Sequence, residues 1–377
     1  MRVAIVHYWL LNMLGGERVV EALCRLFPDA DIFTLFYDPK RVSPVIRSRR
    51  VTASFLNPFR SGYRSLLPLV PWALESLDLR GYDLVISSES GPAKGVVTPS
   101  NTRHLCYCHS PMRYLWDLYP AYLHDWTSAW KRIGLAAFAA PLRMWDYATA
   151  TRVDQFIANS LNVQRRIWKV YRRLSEVIYP PVDVGTFYWR PDADYYLIVS
   201  ELVAYKRVSD AVRSFSRTGR KLKIVGEGPE YRSLRKIAGS NIEFCGRVDS
   251  RELRDLYARS RALLVPGEED FGMVAVEAMA SGKPVIALGR GGVLEAAPDN
   301  EPRAAVLYEE PGDSQLEQAV MRFEDAGELA PYRKLQLWAS RFSEDRFAAE
   351  MRALIDGATP EPVPTAAGTE EMHSWRG

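Results

Sequence analysis

The chain has 377 residues, of which 47% are hydrophobic and 25% are charged, and its formal net charge at pH 7 is +3. This length is too great for one ordinary hydrophobic core and predicts two domains, and the composition is that of a soluble globular protein. No run of 18 apolar residues is present, which argues against a transmembrane helix. The opening MRVAIVHYWL lacks the charged leader and cleavage site of a signal peptide, so we expect a buried strand there.

The charge is distributed unevenly between the two halves of the chain. Residues 1–180 carry 23 basic against 14 acidic residues, a net charge of +9, whereas the remainder carries 26 against 32, or −6. This asymmetry predicts separate domains with different partners. The four cysteines form no CxxC pair and no zinc-type spacing with histidine, which predicts reduced thiols in the cytoplasm.

Short apolar runs alternate with helical patterns through the first 183 residues. VAIV (3–6) predicts a strand, and ERVVEALCRLF (17–27) has the apolar spacing of a helix. The Pro pair in VIYPPVD (177–183) indicates a domain boundary, so we assign residues 1–183 to the first domain. Its further strands are predicted at 32–36, 84–88, 104–108 and 155–159.

A second series of the same kind occupies residues 184–341. Two doubly wound α/β domains are therefore predicted, facing a cleft in which ligand binds at the carboxyl ends of the strands. A final amphipathic helix at 342–356 is expected to pack back on the first domain, and the tail 357–377 lacks periodicity and is predicted to be disordered. The strands of the second domain are predicted at 195–200, 222–226, 242–246, 262–266, 284–288 and 305–308.

The segment EEDFGMVAVEAMASGKPV (268–285) places two acids around a turn that opens a helix. Free backbone N–H groups at 271–274 would form an anion site, and Gly272 would let a ligand approach the backbone closely. Glu269 and Glu277 would accept hydrogen bonds from vicinal hydroxyls. A ligand with phosphates and diols, such as a sugar nucleotide, satisfies both features. The alternative is that Glu269 merely caps the helix and Glu277 is solvated.

The longer stretch PGEEDFGMVAVEAMASGKPVIALGRGGVLE (266–295) resembles the signature of the retaining glycosyltransferases of family 4, whose core is two Glu separated by seven residues. The resemblance covers residues 1–355 and implies the GT-B fold, an α/β architecture of two Rossmann-like doubly wound domains facing a central cleft. It further implies that Glu269 holds hydroxyls of the donor sugar and that Glu277 holds the ribose diol. The backbone positions implied to contact sugar and phosphate are Phe271, Gly272, Met273 and Val274.

Other motifs match the same family. By this resemblance Gly15 and Gly16 of MLGGERVVEAL line the donor phosphates, and His109 of CYCHSPMRYLWD binds the donor sugar. SELVAYKRVSD aligns with a stretch that supplies an Arg and a Lys to the diphosphate. Lys206, with Arg207 beside it, matches the Lys, whereas Glu201 occupies the Arg position. A carboxylate there would weaken binding of a diphosphate. The loops implied to surround the base contribute Gly226, Arg247 and Val248.

The sequence features that bear on metal binding and membrane contact are less specific than the family motifs. Two DxD pairs, Asp29–Asp31 and Asp192–Asp194, flank turns outside the predicted cleft, so we expect no metal and no other cofactor. The segments 47–77 and 116–145 mix arginines with aromatic and leucine side chains, which favours peripheral contact with an anionic membrane over packing in the core. The basic stretch 158–173 would face phosphate, lipid or solvent. No nucleic-acid partner is expected.

The sequence therefore predicts a retaining hexosyltransferase of cell-surface glycan assembly at the cytoplasmic face of the membrane. LVAYKRV, CHSPMRYLWD and EEDFG most resemble mannosyltransferases of O-antigen and exopolysaccharide assembly, which implies GDP-mannose as donor and a lipid-linked or polysaccharide-precursor acceptor. One alternative is a non-catalytic or impaired sugar-nucleotide-binding homologue, because of Glu201. The other is a different GT-B enzyme, such as a UDP-sugar transferase or an epimerase. The acceptor, the linkage and the choice among GDP, UDP and ADP stay open.

Overall fold

The computed structural model describes residues 1–120, 123, 129–297, 304–325 and 330–357, and the predicted tail 358–377 lies outside them. The described chain forms two sheets in which every strand pairing is parallel. The order is β3-β2-β1-β4-β5-β6-β7 in the first sheet and β10-β9-β8-β11-β12-β13 in the second. Two doubly wound α/β domains are thus present, as predicted.

The strands of the first sheet are β1 Val3–Leu10, β2 Asp31–Tyr37, β3 Val51–Ala53, β4 Leu84–Glu89, β5 Arg103–Cys108, β6 Gln155–Ala158 and β7 Ser175–Val177. Those of the second are β8 Tyr196–Val199, β9 Leu222–Val225, β10 Ile242–Gly246, β11 Leu263–Val265, β12 Val285–Leu288 and β13 Ala305–Tyr308. Strand order reverses between β1 and β4 and again between β8 and β11. Open α/β sheets bind ligands outside the carboxyl ends of strands at such points.

The helices of the first half are Gly15–Leu26, Pro44–Arg47, Val70–Glu75, Ala129–Thr149 and Leu161–Tyr171. Those of the second half are Val208–Thr218, Tyr231–Ile237, Ser250–Arg259, Met273–Ala280, Val293–Ala296, Asp313–Asp325, Tyr332–Ala339 and Glu344–Ile355. In the described ranges, no helix has both the length and the apolar character needed to cross a membrane.

Two strands were missed by the sequence prediction, and both are short. β3 and β7 have three residues each, and each forms one edge of the first sheet. The central strands are buried on both faces and therefore read as continuous apolar runs, whereas an edge strand of three partly exposed residues has no such signal.

The last helix packs on the first domain although it follows the second in sequence. Glu344–Ile355 begins after Ser343, whose hydroxyl accepts a hydrogen bond from the backbone N–H of Arg346 at 3.3 Å. Its buried face, which includes Phe347 and Met351, joins the core formed by β1, β4 and the helix Gly15–Leu26. The Arg103 guanidinium donates to the carbonyl of Ile355 at 2.7 Å and holds the end of this helix.

Candidate active site

The carboxyl edges of the two sheets face each other across a cleft, and three observations show that residues of the two domains lie close together there. A Cβ added at Gly15 would lie 3.3 Å from Sδ of Met273, so the start of the first helix faces the start of Met273–Ala280. Arg18 forms an ion pair with Glu277 across the cleft. Nη2 of Arg247 donates to Oδ1 of Asn12 at 3.1 Å. The structure therefore brings Gly15, Arg247, Met273 and Glu277 of the predicted donor site together.

The start of the helix Met273–Ala280 forms the anion-binding part of the site. Gly272 is the N-cap residue with φ of +99°, a left-handed conformation that glycine adopts without strain, and no described side chain forms a hydrogen bond that caps the helix. Within the described chain, no acceptor is paired with the amides of residues 271–274. These amides, together with the positive end of the helix dipole, provide donors for an anionic group. Phe271 is buried beneath the turn and supports it.

Lys206 and Glu269 form an ion pair beside this helix start. Nζ of Lys206 lies 2.5 Å from Oε2 of Glu269, and both side chains are largely shielded from solvent. Burial opposes the charge on Lys206, but Glu269, Tyr205 and Asp270 together more than offset this effect and raise the pKa of the lysine. The pair lines a small pocket between the ends of β8 and β11, together with Ser200, Gly267 and Val274. A cation and an acceptor thus stand side by side next to free amides.

Glu277 is buried in the cleft wall and has two partners. Besides the ion pair with Arg18, its Oε2 accepts a hydrogen bond from the Tyr257 hydroxyl at 2.7 Å. Tyr257 is fully buried, and burial raises the pKa of its hydroxyl well above the ordinary value, so it remains a donor. Neither Arg18 nor Tyr257 was singled out from the sequence. The acid is therefore held in place from both domains, which excludes the solvated position that charge alone allowed.

His109 follows β5 and lies with its ring nearly buried. Its Nε2 is 2.9 Å from the hydroxyl of Ser88, and its backbone N–H donates to the carbonyl of Glu89 at 2.6 Å. Burial lowers the pKa of His109 to about 4, so the ring is neutral at physiological pH and acts as a hydrogen-bonding group. A Cβ on Gly16 would lie 3.6 Å from Nε2 of His109, which places this glycine beside the ring.

The remaining predicted donor residues, Arg207, Gly226 and Val248, come after β8, β9 and β10. Gly226 has φ of +134°, and a Cβ there would lie 1.9 Å from the carbonyl oxygen of Ser200, so only glycine fits. Val248 is half-buried in the turn after β10. Arg207 is occupied elsewhere, because its Nε donates to Oδ2 of Asp210 at 2.8 Å. Glu201 is exposed at the end of β8. Arg207 is thus paired with Asp210 and not with Glu201 among the described contacts.

The acidic loop before the helix is held by arginines that the sequence did not assign to it. Arg166 contacts the carboxylates of Glu268 and Asp270, and Nη1 of Arg113 lies 3.2 Å from Oδ1 of Asp270. Arg166 belongs to the stretch predicted to face phosphate, lipid or solvent, and for Arg166 that prediction is wrong. Opposite charges in the two domains explain the result, since a basic helix packed on an acidic loop satisfies both.

Comparison with known proteins identifies the family of the chain. A model described as "Glycosyltransferase Family 4" matches residues 14–186, and one described as "Glycosyl transferases group 1" matches residues 188–334. The chain belongs to the glycosyltransferases of family 4. The resemblance drawn from the motifs is thereby confirmed.

Individual relatives match a smaller part of this glycosyltransferase than the two family models do together. MJ1178, an uncharacterised glycosyltransferase of Methanocaldococcus jannaschii, is 31% identical over 160 residues, which are 41% of this chain and 45% of that protein. Alpha-1,3/1,6-mannosyltransferase ALG2 of Candida glabrata is 22% identical over 61% of this chain and 58% of that protein. The matches thus span less than two thirds of either relative.

A solved structure shares the fold over nearly the whole chain. The structure of Anabaena Alr3699/HepE in complex with UDP matches with a TM-score of 0.69 at 16% identity, over 95% of this chain and 100% of that chain. At this identity the likeness concerns the fold, and it confirms the GT-B architecture of the glycosyltransferase.

The two domains of the glycosyltransferase are also joined by a carboxylate at a helix start. Glu295 accepts hydrogen bonds from the backbone N–H groups of Leu161 at 2.7 Å and Asn162 at 3.0 Å, although it lies in the other domain. Ser160, the N-cap residue, donates from its hydroxyl to the carbonyl of Asp270 at 2.7 Å. A carboxylate at a helix N-terminus is stabilised by the free amides and the dipole. We call Glu295 with residues 160–162 the interdomain cap.

Removing the charge of the interdomain cap should loosen the cleft. In Glu295→Gln we expect the amides of Leu161 and Asn162 to exchange with deuterium faster, and the free energy of unfolding to fall by about 1–2 kcal/mol. Glu310→Gln is the matched control, since that exposed carboxylate pairs with Arg290 at 2.9 Å and makes no other ion pair among the described residues. Equal exchange rates in the wild type and Glu295→Gln would contradict the role of the cap.

Proposed function

We propose that this family 4 enzyme transfers a hexose from a nucleoside diphosphate with retention of anomeric configuration. The observation that carries the proposal is the Lys206–Glu269 pair beside the free amides of residues 271–274. The amides and the lysine suit a diphosphate, and the carboxylate suits sugar hydroxyls, so one ligand satisfies all of them. The leaving phosphate would deprotonate the acceptor on the face that it departs from. Determination of the product anomer by NMR tests retention.

We propose GDP-mannose as the donor and a lipid-linked or polysaccharide-precursor glycan as the acceptor. The likeness to ALG2, whose name describes a mannosyltransferase, supports mannose, whereas the HepE structure that shares the fold was determined with UDP. A calorimetric and thermal-shift screen against GDP, UDP and ADP with their sugars decides between these donors. GDP-mannose should raise the melting temperature most. If no nucleotide binds, the proposal for the whole cleft fails.

We propose that transfer needs no metal ion, because groups of the protein neutralise the charge of the donor diphosphate. Among the described residues, no group of three or more His, Cys, Asp or Glu is arranged to hold a metal ion. Both DxD pairs have partners: Lys283 contacts Asp192, and Tyr82 donates to Asp31 at 2.5 Å. Lys206 and the helix start would neutralise the diphosphate. We expect transfer to persist in EDTA, and a collapse of the rate that added Mg²⁺ or Mn²⁺ restores would overturn the expectation.

We also propose that the first domain contacts the anionic cytoplasmic surface of a membrane. Segment 47–77 is partly buried and partly exposed in the structure. Val70 and Leu74 are buried, whereas an apolar surface remains exposed, and Arg60 within the segment is exposed as well. This arrangement suits the interface region of an anionic bilayer. Part of the second predicted segment, residues 121–122 and 124–128, lies outside the described residues. The exposed side chains are Phe55, Phe59, Leu69 and Trp72. Co-sedimentation with anionic and with neutral vesicles tests the proposal.

Glu201 occupies the position where the family has an Arg, and substituting it distinguishes an active enzyme from a non-catalytic homologue that only binds the donor. In Glu201→Arg we expect the affinity for the donor to rise about 3- to 10-fold, because an exposed repulsive charge near the diphosphate becomes attractive. Asp325→Arg is the matched control, because it makes the same change of charge on an exposed residue at the end of the helix Asp313–Asp325, which follows β13. If Glu201→Arg binds donor more tightly but transfers nothing, the chain is a binding homologue.

A further inference from the structure

A second histidine and a serine connect to His109 behind the cleft. His7 of β1, Ser88 of β4 and His109 after β5 come from three neighbouring strands and are all buried. Nδ1 of His7 lies 3.0 Å from the carbonyl oxygen of Ser88 and 3.2 Å from its hydroxyl oxygen. The same hydroxyl lies 2.9 Å from Nε2 of His109. We call these three side chains the His–Ser–His relay.

The backbone carbonyl decides where the proton of His7 lies. A carbonyl oxygen can only accept a hydrogen bond, so the facing Nδ1 of His7 must carry hydrogen. The other nitrogen, Nε2, is buried and finds no hydrogen-bond partner among the described residues, so a proton there would be an unsatisfied buried donor. Burial also lowers the pKa of His7 to about 3, so the ring is neutral. His7 is therefore the Nδ1–H tautomer.

The state of His7 determines the direction of the next hydrogen bond. Since the protonated Nδ1 of His7 has no free lone pair, it cannot accept a hydrogen bond from the hydroxyl of Ser88. The hydroxyl proton is free to be donated to Nε2 of His109, while the hydroxyl oxygen accepts from His7. A neutral imidazole that accepts at Nε2 carries its proton at Nδ1. The hydrogen bond of the His109 ring within the described part of the chain is made by Nε2, and none is made there by Nδ1, so that nitrogen is left for a ligand.

We propose that His7 and Ser88 are positioning residues that hold His109 as the Nδ1–H tautomer, so that His109 presents a donor to an oxygen of the bound sugar. The proposal rests on the proposed function for the identity of the ligand, but the tautomer itself belongs to the protein alone. The orientation has a chemical consequence. A sugar hydroxyl would accept a hydrogen bond from His109 and thus keep its own proton free for an acceptor such as Glu269.

The tautomers can be measured directly and without substrate. Two-bond ¹⁵N–¹H correlation spectra of the histidine rings distinguish Nδ1–H from Nε2–H, and single substitutions assign the signals among the five histidines. We expect Nδ1–H for both His7 and His109 in the wild type. In Ser88→Ala the signal of His109 should move towards the Nε2–H form. A wild-type His109 protonated at Nε2, or an unchanged tautomer in Ser88→Ala, would overturn the proposal.

A matched pair of substitutions at His7 tests the role of the relay in transfer. The amide of asparagine can donate from near the position of Nδ1, whereas glutamine reaches the position of Nε2. We expect His7→Asn to keep the tautomer of His109 and most of the transfer rate, and His7→Gln to lose both, with kcat about 3- to 10-fold lower. The affinity for GDP alone should stay unchanged in both, because the relay faces the sugar.

The outcomes separate this proposal from the proposed function. Equal transfer rates in His7→Asn and His7→Gln, with only the second showing an altered tautomer, would overturn the positioning role. If the wild type binds no nucleotide, the proposed function fails, yet the spectra still confirm or refute the tautomer. If Ser88→Ala does not fold, the His7 pair carries the test.

Discussion

Lys206→Ala is expected to transfer sugar at least about 100-fold more slowly than the wild type, with a much smaller loss of donor affinity. A fixed positive group aimed at charge that develops on a leaving group contributes most in the transition state, and removal of one such donor commonly lowers kcat by about 10²–10³-fold. Lys206 is suited to this role because it is shielded from solvent and held by Glu269 at 2.5 Å before any ligand binds. Steady-state kinetics with separate kcat and KM test it.

Three further variants sharpen this experiment. Lys206→Arg keeps the charge but not the compact ammonium, so we expect little rescue. Lys221→Ala removes a lysine that is 66% exposed and pairs weakly with Asp194, and it should behave as the wild type. Lys206→Ala combined with Glu269→Gln should be less impaired than the two single effects multiplied together, since Glu269 without its lysine repels the phosphates. A loss in Lys206→Ala that appears only in KM would remove Lys206 from the chemical step.

The sequence was most informative where function depends on local geometry. The spacing of Glu269 and Glu277 around a turn and a helix start indicated acceptors beside an anion site, and the family resemblance favoured this over a capping and a solvated acid. In the structure Glu269 lies beside the helix start and Glu277 lies in the cleft wall. Parallel strands buried on both faces produce apolar runs, so eleven of the thirteen described strands were predicted. The missed ones, β3 and β7, lie at the edges, where three residues give no pattern.

What could not be predicted are the partners that lie far away in sequence. Arg18 and Glu277 are 259 residues apart, and Leu161 and Glu295 are 134 apart, so these pairs depend on how two domains face each other. No local period encodes that orientation. The charge asymmetry between the halves was the available signal, and it was interpreted only in terms of external partners. The structure shows that part of it is satisfied internally, by Arg113 and Arg166 on the loop 268–270.

Glu277 should have the largest combined effect on stability and binding. In Glu277→Ala the buried hydroxyl of Tyr257 loses its acceptor, and Arg18 loses its carboxylate. We expect the free energy of unfolding to fall by about 2–4 kcal/mol and the donor affinity to fall at least about 10-fold. Glu277→Gln keeps an acceptor for Tyr257 but loses the charge that pairs with Arg18, so its free energy of unfolding should fall less than in Glu277→Ala while it still binds donor less tightly. Chemical denaturation and calorimetry measure the two quantities separately.

A 2′-deoxynucleotide tests whether the affinity lost in Glu277→Ala comes from contact with the ribose. The wild type should bind a 2′-deoxynucleotide about 10-fold more weakly than the ribonucleotide, because a carboxylate that grips a diol loses one hydrogen bond. In Glu277→Ala the two nucleotides should bind equally, since the group that tells them apart is gone. Tyr257→Phe is the matched control: it leaves the carboxylate and its Arg18 partner in place, so the preference for ribose should persist. If the preference survives in Glu277→Ala, the ribose is held by another residue and Glu277 acts only as a bond between the domains.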